Sequence, residues 1–445
     1  MTLLHIPPVK GMNDVLPDEI HRWQFLEATA RSLLHAHAYE EMRVPVVEHT
    51  DLFKRAIGEH TDVVEKEMYS FEDKGGEHLT LRPEATAGLV RASISNGLLR
   101  GARHKLWCIG PMFRHEKPQK GRFRQFHQID VEAIGFAGPD VDAELIALSA
   151  AFWRRLRIDR VRLQINSLGT AESRREYRTR LTDYFRAHHA RLDADSLRRL
   201  EGNPLRILDS KNPEMRALIE GAPLLPEHLD AESAAHFAQL RAMLEALGIA
   251  YEVNPRLVRG LDYYSRTVFE WITDALGAQD AVCSGGRYDG LISQLGGEPT
   301  PAIGFAMGVE RVVALIEQAG SAPAAPSADL YLVVQGEAPL RAAMRLADGL
   351  RAALPARRIE LNLGGGNFKA QFRRADRSGA ALALVLGEDE LGRGVVQLKP
   401  LREGCGEPAE ATLGEAVTVI DRWFAAHGAG ALRLEPTGVN EEGRA

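Results

Sequence analysis

Two strand-length segments, Lys105–Phe113 and Arg124–Ile134, flank a short loop, Lys117-Pro118-Gln119-Lys120-Gly121-Arg122. Strand, turn-forming loop and strand read as a hairpin. The two-residue period of a strand puts Phe126, Gln128, Asp130 and Glu132 on one face of the second segment. A ring, an amide and two acids do not make a core-packing face. They read as the floor of a polar pocket, so the chain is expected to present a sheet face to a ligand. The loop is basic and reads on its own as a solvated turn.

The rest of the chain is organised around that sheet. Its 445 residues exceed what one core holds, so two to three domains are expected. A helix follows Pro17-Asp18-Glu19, with apolar residues at Ile20, Trp23, Leu26, Ala30, Leu33 and Leu34. The segment Met42–Val47 reads as a strand. Pro45 cannot donate to a ladder, which assigns it to an edge or an interface. Residues 170–250 turn rich in Arg, Glu, Asp and Ala at helical spacing, broken at Asn203-Pro204 and Asn212-Pro213, and read as a helical insertion. Ser321-Ala322-Pro323-Ala324-Ala325-Pro326-Ser327 is a linker by composition. Beyond it strands (Leu330–Val334, Arg358–Leu361, Ala381–Leu386) alternate with helices (Leu340–Leu350, Phe368–Arg377), with a turn at Gly364-Gly365-Gly366. That alternation argues for a separate α/β domain over 328–428, after a first domain over 1–325. Residues 429–445 read as a disordered tail.

The bulk numbers exclude several classes. With 45% hydrophobic and 26% charged residues the chain is not disordered throughout. A net charge of −6 excludes a generally basic nucleic-acid coat, so any RNA contact must rest on local positive charge such as the loop. Cys108, Cys283 and Cys405 are far apart and lack zinc-ligand spacing, and the 15 histidines show no metal spacing either. No protein-only metal site is expected, and a reducing cytoplasm fits the cysteines. The first residues are too proline-rich for a signal sequence, and no apolar run approaches the ~20 residues of a membrane span.

Five short segments carry chemistry: Leu81–Gly88, Phe113–Glu116, Leu257–Tyr264, Gly285–Gly290 and Gly304–Arg311. Arg114, Arg259 and Arg311 are suited to anions. Glu84, Thr86 and the tyrosines are suited to a small cationic, hydrogen-bonding ligand. There is no Walker A loop and no Gly-Lys dipeptide, so a nucleotide would be held by arginines on a sheet. Each feature alone has a plain reading. Arg114 can pair with Glu116, Arg311 lies off the apolar stripe of its helix, and Glu84 with Thr86 makes a polar strand or turn. If Tyr263 and Tyr264 lie in a strand they point to opposite faces, and only one reaches a pocket.

Taken together, the segments settle more. Glu84–Gly88, Phe113–Glu116 and Gly304–Arg311 resemble motifs two and three of the class II aminoacyl-tRNA synthetases, and Met42–Val47 resembles motif one. Leu257–Tyr264 and Gly285–Gly290 resemble the two signatures peculiar to the histidyl-tRNA synthetase family, in its bacterial form. The likeness runs from about Lys10-Gly11-Met12-Asn13-Asp14 into the C-terminal domain. It implies an α+β catalytic domain with an antiparallel class II sheet, a helical insertion, a C-terminal α/β anticodon-binding domain and a homodimer. The activity implied is formation of histidyl-adenylate from histidine and ATP, with Mg2+ accompanying ATP, then transfer of histidine to the 3′ end of its tRNA.

Carried over by position, the resemblance gives Glu84, Thr86 and Gln128 the α-amino group of histidine, and Glu132 and Tyr264 the imidazole. Tyr263 and Tyr288 complete that pocket. Arg114 grips the α-phosphate, Arg122 also serves ATP, Phe126 stacks on adenine, and Arg311 holds the ATP tail and adenine. Arg259 is the cation at the reacting phosphorus; with Arg114 and Arg311 it forms the catalytic set. Lys117, Gln119 and Lys120 face tRNA. Three positions depart from the pattern: Ala85 stands where glycine is common, Asp130 where some relatives carry glycine, and Lys117 at a loop position that is often arginine. The alternative is a regulatory paralogue that activates ATP phosphoribosyltransferase. That paralogue keeps the histidine pocket but lacks the anticodon domain and loses ATP-handling arginines. Arg114, Arg259, Arg311, the basic loop and residues 328–428 favour the enzyme.

Overall fold

The computed structural model describes residues 6–427 apart from 60, 120, 209, 211, 278–280, 404 and 405. It divides into two compact units, residues 1–322 and 323–445.

The first unit is built on an eight-stranded sheet. Across it the strands run Glu40–Glu41, His104–Phe113, Gln125–Ile134, Ala302–Gly308, Ala281–Arg287, Ser265–Ile272, Arg162–Ser167 and Glu252–Val253. The six central strands are antiparallel, and the two-residue strands at the edges pair parallel to their neighbours. Alternation along the strands separates two faces. Ile129, Val131 and Ala133, with Ile303, Phe305 and Met307 of the paired strand, join one apolar core. That core is covered by the helices Ile20–Ala36, Pro139–Leu156, Ala231–Ala246 and Val309–Ala319. Trp23, Leu26, Ala30, Leu33 and Leu34 form the buried stripe of the first of these. The opposite face of the sheet carries Gln128, Asp130 and Glu132.

The strand expected over Met42–Val47 does not form. Glu40–Glu41 pairs in the large sheet, and Val47–His49 pairs with His78–Leu81 in a separate three-stranded sheet. The chain between crosses from one sheet to the other. Pro45 has no N–H to place in either ladder. Arg82 supports the crossing instead: its guanidinium donates to the Val44 carbonyl at 3.1 Å and its amide donates to that of Val46 at 2.9 Å.

The helical stretch after the Arg162–Ser167 strand falls into two parts. Helices Ala171–Ala187, Ala194–Glu201 and Arg216–Glu220 close around Tyr177, Leu181, Phe185, Leu200 and Leu218. Asn203 and Asn212, each followed by proline, cap short 3₁₀ turns by accepting from Leu205 N and Glu214 N. The last helix, Ala231–Ala246, instead packs Phe237, Leu240 and Leu244 into the main core. Asp230 ties the two parts together. It caps that helix through Ser233 N at 2.8 Å and also accepts from Thr170 and Ser173 at the start of Ala171–Ala187.

The second unit is a five-stranded sheet ordered Ile359–Leu361, Leu330–Val334, Leu382–Leu386, Val395–Pro400, Ala409–Thr412. Its first three strands are parallel and its last two antiparallel. Leu330, Leu332 and Val334 face helices Glu337–Ala353 and Ala416–His427, while Tyr331 and Val333 face Phe368–Arg377. The three glycines 364–366 all take positive φ, which makes the sharp turn after the edge strand. The final strand pair and the last helix were not legible as such in the sequence. Cys405 and the stretch 429–445 lie outside the described residues.

Candidate active site

A cavity of about 630 Å³ lies on the polar face of the large sheet. Its floor includes Gln128, Asp130 and Glu132. Glu132 is 1% exposed and pairs in register with Gly304 of the next strand. A Cβ at position 304 would come within 1.6 Å of the Glu132 carboxylate, so glycine is what lets that acid lie against the sheet. The Thr86 hydroxyl donates to one Glu132 oxygen at 2.6 Å, and the Tyr288 hydroxyl donates to the other. Burial pushes the Glu132 carboxyl up to about 8; the two hydrogen bonds oppose the rise and nearby Glu84 adds to it. This acid can therefore give or take a proton near neutrality.

Thr86 is positioned by a helix rather than a strand. It is the first residue of Thr86–Ser95, and Glu84, just before, accepts from the amides of Thr86 and Ala87, each at 2.9 Å. A carboxylate there complements the positive end of the helix. Burial raises the Glu84 carboxyl, although those amides and Arg114 pull the other way.

The tyrosines correct the sequence reading. Arg259–Tyr264 is a loop leading into the Ser265–Ile272 strand, so strand alternation does not apply. Tyr263 and Tyr264 both line the cavity, both 7% exposed, with ring centroids 4.6 Å apart. Tyr288 stands beside them, its ring 5.6 Å from that of Tyr263. Gly286 makes room for this wall: a Cβ there would meet the Tyr264 ring at 2.9 Å.

Arginines surround the same space. Arg114 donates to the Pro83 carbonyl at 2.9 Å and lies over the Phe126 ring at 5.4 Å. Arg259 pairs with Glu270 at 2.7 Å, and Ser284 donates to the same Glu270 oxygen at 2.9 Å. Arg311 donates to the Gly121 carbonyl at 2.9 Å, and Arg122 pairs with Glu116. The structure thus brings Glu84, Thr86, Arg114, Arg122, Phe126, Gln128, Glu132, Arg259, Tyr263, Tyr264, Tyr288 and Arg311 to one cavity. Lys117 and Gln119 sit on the exposed loop outside it, and Lys120 lies outside the described residues.

Other residues of the site were missed. Glu270 is the lone acid in the apolar run Val268–Ile272, a signal that could have found it. Glu310 accepts from His127 N at 2.9 Å and lines the cavity. Arg199, Arg206 and Asn212 of the helical stretch also line it, and Arg206 pairs with Asp62, another lining residue. Arg287, one residue before Tyr288, turns to the scaffold. It is fully buried, pairs with Asp142 and donates to the carbonyls of Phe136 and Gly138 at 2.8 and 2.9 Å. Burial alone would raise the Asp142 carboxyl, but His236 and Arg287 outweigh it and hold it below the ordinary range.

Comparison with known proteins agrees with this geometry. Residues 11–312 match the family model described as histidyl-tRNA synthetase, and residues 329–423 match an anticodon binding domain. The chain belongs to the histidyl-tRNA synthetase family. It is 54% identical over 415 residues to the histidine–tRNA ligase of Halorhodospira halophila, covering 93% of this chain and 97% of that one. The crystal structure of apo S. aureus histidyl-tRNA synthetase superposes with a TM-score of 0.79 at 34% identity, covering 93% of this chain and 99% of that one. A Bacillus halodurans protein described as an ATP phosphoribosyltransferase regulatory subunit/histidyl-tRNA synthetase shares the fold, with a TM-score of 0.63 at 21% identity over 86% of this chain and 99% of that one. This synthetase is a class II aminoacyl-tRNA ligase that uses ATP to join histidine to tRNA. Among the described residues, no helix is long and apolar enough to cross a membrane.

Proposed function

We propose that the cavity over the Glu132 face performs both half-reactions with the following division of labour. The α-ammonium group of histidine docks against Glu84, Thr86 and Gln128. Both Glu84 oxygens already accept one amide each, but a carboxylate offers about four acceptor sites, so it can take the ammonium as well. The imidazole lies against Glu132 and Tyr264, walled by Tyr263 and Tyr288. Imidazole presents one donor and one acceptor when neutral. A buried carboxyl and phenols match both, and an apolar side chain of similar size would leave them unpaired.

The histidine carboxylate attacks the α-phosphorus of ATP, and pyrophosphate leaves. Arg114 holds the α-phosphate, with the base on neighbouring Phe126. Arg122 and Arg311 take the rest of the nucleotide. Arg259, held in place by Glu270, stabilises charge at the phosphorus as it becomes five-coordinate. Such a step demands positioned positive charge and little else from the protein. The 3′-terminal hydroxyl of tRNA then attacks the adenylate carbonyl, and AMP leaves. Lys117, Gln119 and Lys120 contact the tRNA acceptor end, residues 328–428 bind the anticodon, and the enzyme works as a cytoplasmic homodimer.

Mg2+ accompanies the ATP in this reading. Among the described residues, no group of three or more His, Cys, Asp and Glu side chains could hold a metal. An ion that accompanies ATP is carried mainly on the nucleotide's phosphates, with one or two protein carboxylates at most; Glu310 is the cavity-lining carboxylate beside Arg311. Bound there, it would neutralise phosphate charge.

The observation that carries the reading is the placement of Glu132, bonded to Thr86 and Tyr288, in the same cavity as Arg114, Arg259 and Arg311. The test is Arg259→Ala. Histidine-dependent ATP–pyrophosphate exchange should fall by ~10²-fold or more while histidine still binds, because the lost charge acts mainly in the transition state. Exchange within a few-fold of wild type would remove Arg259 from the reacting phosphorus.

A further inference from the structure

Asp130 has no assigned part in the reading above, yet it belongs to the same floor. It lines the cavity between Gln128 and Glu132 on the same strand face and is 1% exposed. Among the described residues its Oδ2 atom has no hydrogen-bond partner, and neither has the Gln128 Oε1 atom. Nearly all buried side-chain polar atoms in native proteins have a partner, so an exception in a ligand cavity calls for an explanation.

The surroundings say what the missing partner is. On its own strand Asp130 faces Glu132; from the strand on one side comes Cys108, in register with it. Across the sheet lies Cys283, and from the segment before Thr86–Ser95 come Glu84 and Arg82, with Arg114 beyond. The hydrogen bonds of the two arginines go to backbone: Arg82 donates to the carbonyls of Pro111 and Val44, and Arg114 to that of Pro83. Three buried carboxyls, Glu84, Asp130 and Glu132, thus share a pocket whose neighbouring cations are turned to carbonyls. Burial, then Glu132 and Glu84, push the Asp130 carboxyl well above its usual range. Such surroundings favour the protonated form of the acid, and an incoming cation favours the charged one.

We propose that Asp130 is a further substrate-binding residue that receives the α-ammonium group of histidine and gives up its own proton to solvent as the substrate enters. The proposal rests on the pocket being the histidine site. Two residues along a strand span about 6–7 Å, comparable to the reach from an imidazole nitrogen of histidine to its α-nitrogen. With the imidazole against Glu132, the ammonium therefore comes to lie near Asp130 and Gln128. Binding exchanges one buried positive hydrogen for another: the carboxyl loses H⁺, the ammonium takes its place, and no covalent bond of the substrate changes. Because a proton is released, histidine affinity rises with pH while Asp130 is protonated in the empty pocket.

The experiment is calorimetry with the full chain, wild type and Asp130→Asn, in two buffers of different ionisation enthalpy. The probes are histidine, histidinol, which keeps the ammonium, and imidazole-4-propionate, which lacks it. Asn keeps the shape of Asp, and pyrophosphate exchange supplies KM values on the same preparations. Asp130→Asn should weaken histidine and histidinol about tenfold and spare imidazole-4-propionate. It should raise KM for histidine but not for ATP, and release about one proton fewer per site than wild type. Glu132 is present in both proteins, so the difference in protons belongs to Asp130. Equal weakening of all three probes, or unchanged histidine affinity and proton release, would overturn the proposal. A wild-type protein without histidine-dependent exchange would remove the pocket assignment, and Asp130 with it.

Discussion

The Tyr288 hydroxyl donates to the Glu132 carboxyl across 156 positions of sequence, joining the residue that follows the Ala281–Arg287 strand to the Gln125–Ile134 strand. With Thr86 on its other oxygen, Glu132 is fixed in one orientation before any ligand arrives.

Tyr288→Phe should therefore weaken histidine binding without unfolding the protein. It strips one partner from a buried acid, a loss worth roughly 1–3 kcal/mol, while keeping the ring that packs on Tyr263. Calorimetry should show that loss for histidine and none for ATP. An unchanged histidine affinity would mean that the Tyr288 hydroxyl has no part in holding Glu132 for the imidazole.

Glu132 also sets a pH dependence of stability. Its carboxyl is near 4.5 when unfolded and about 8 when folded. Between those values the unfolded chain has lost the proton and the native state keeps it, so stability falls as pH rises through the window and levels off above it. Each unit of separation is worth about 1.4 kcal/mol. Glu132→Gln should be no more stable than wild type near pH 4.5 and clearly more stable near pH 8, in denaturant titrations of the ligand-free protein. A constant difference across the range would contradict the burial argument.

Asp142→Ala should be severe for stability and indirect for catalysis. It removes the fully buried partner of Arg287 and leaves it only Asp289, at 3.2 Å and partly exposed, and breaking such a pair from one side costs about 3–5 kcal/mol. Denaturation midpoints should drop accordingly, while kcat of the protein that remains folded stays within a few-fold of wild type. A variant as stable as wild type would show that Asp289 and the carbonyls of Phe136 and Gly138 suffice for Arg287.

Truncation after Ser327 separates the two units. The first unit holds the large sheet, both of its main apolar clusters and the cavity. It should remain folded and form histidyl-adenylate, but charge tRNA poorly. Full aminoacylation efficiency by the truncated chain would take the anticodon role away from the second unit.

Where the sequence was legible, local pattern and tertiary demand coincide. The hairpin face from Phe126 to Glu132 follows from a period of two, and the helix at Ile20–Ala36 from its apolar spacing. The strand reading failed at Met42–Val47 because the register belongs to two different sheets, a fact held in Glu40–Glu41 and Val47–His49 rather than in the segment between. It failed at Tyr263-Tyr264 because aromatic residues favour strands but here pack on each other in a loop. Arg206 and Asp142 were hidden because each takes its meaning from a partner far away in sequence: Asp62 by 144 positions and Arg287 by 145. The site arginines became readable through their family resemblance, since an isolated arginine gives no sign of what it faces.

In the proposed mechanism the Glu132 cavity selects histidine for adenylation. ATP–pyrophosphate exchange across the twenty amino acids, with wild type and Glu132→Gln side by side, tests it directly. Wild type should exchange with histidine alone, and the variant should show a rise in KM for histidine with little change in KM for ATP. Exchange driven by another amino acid, or a Glu132→Gln enzyme with an unaltered KM for histidine, would contradict it.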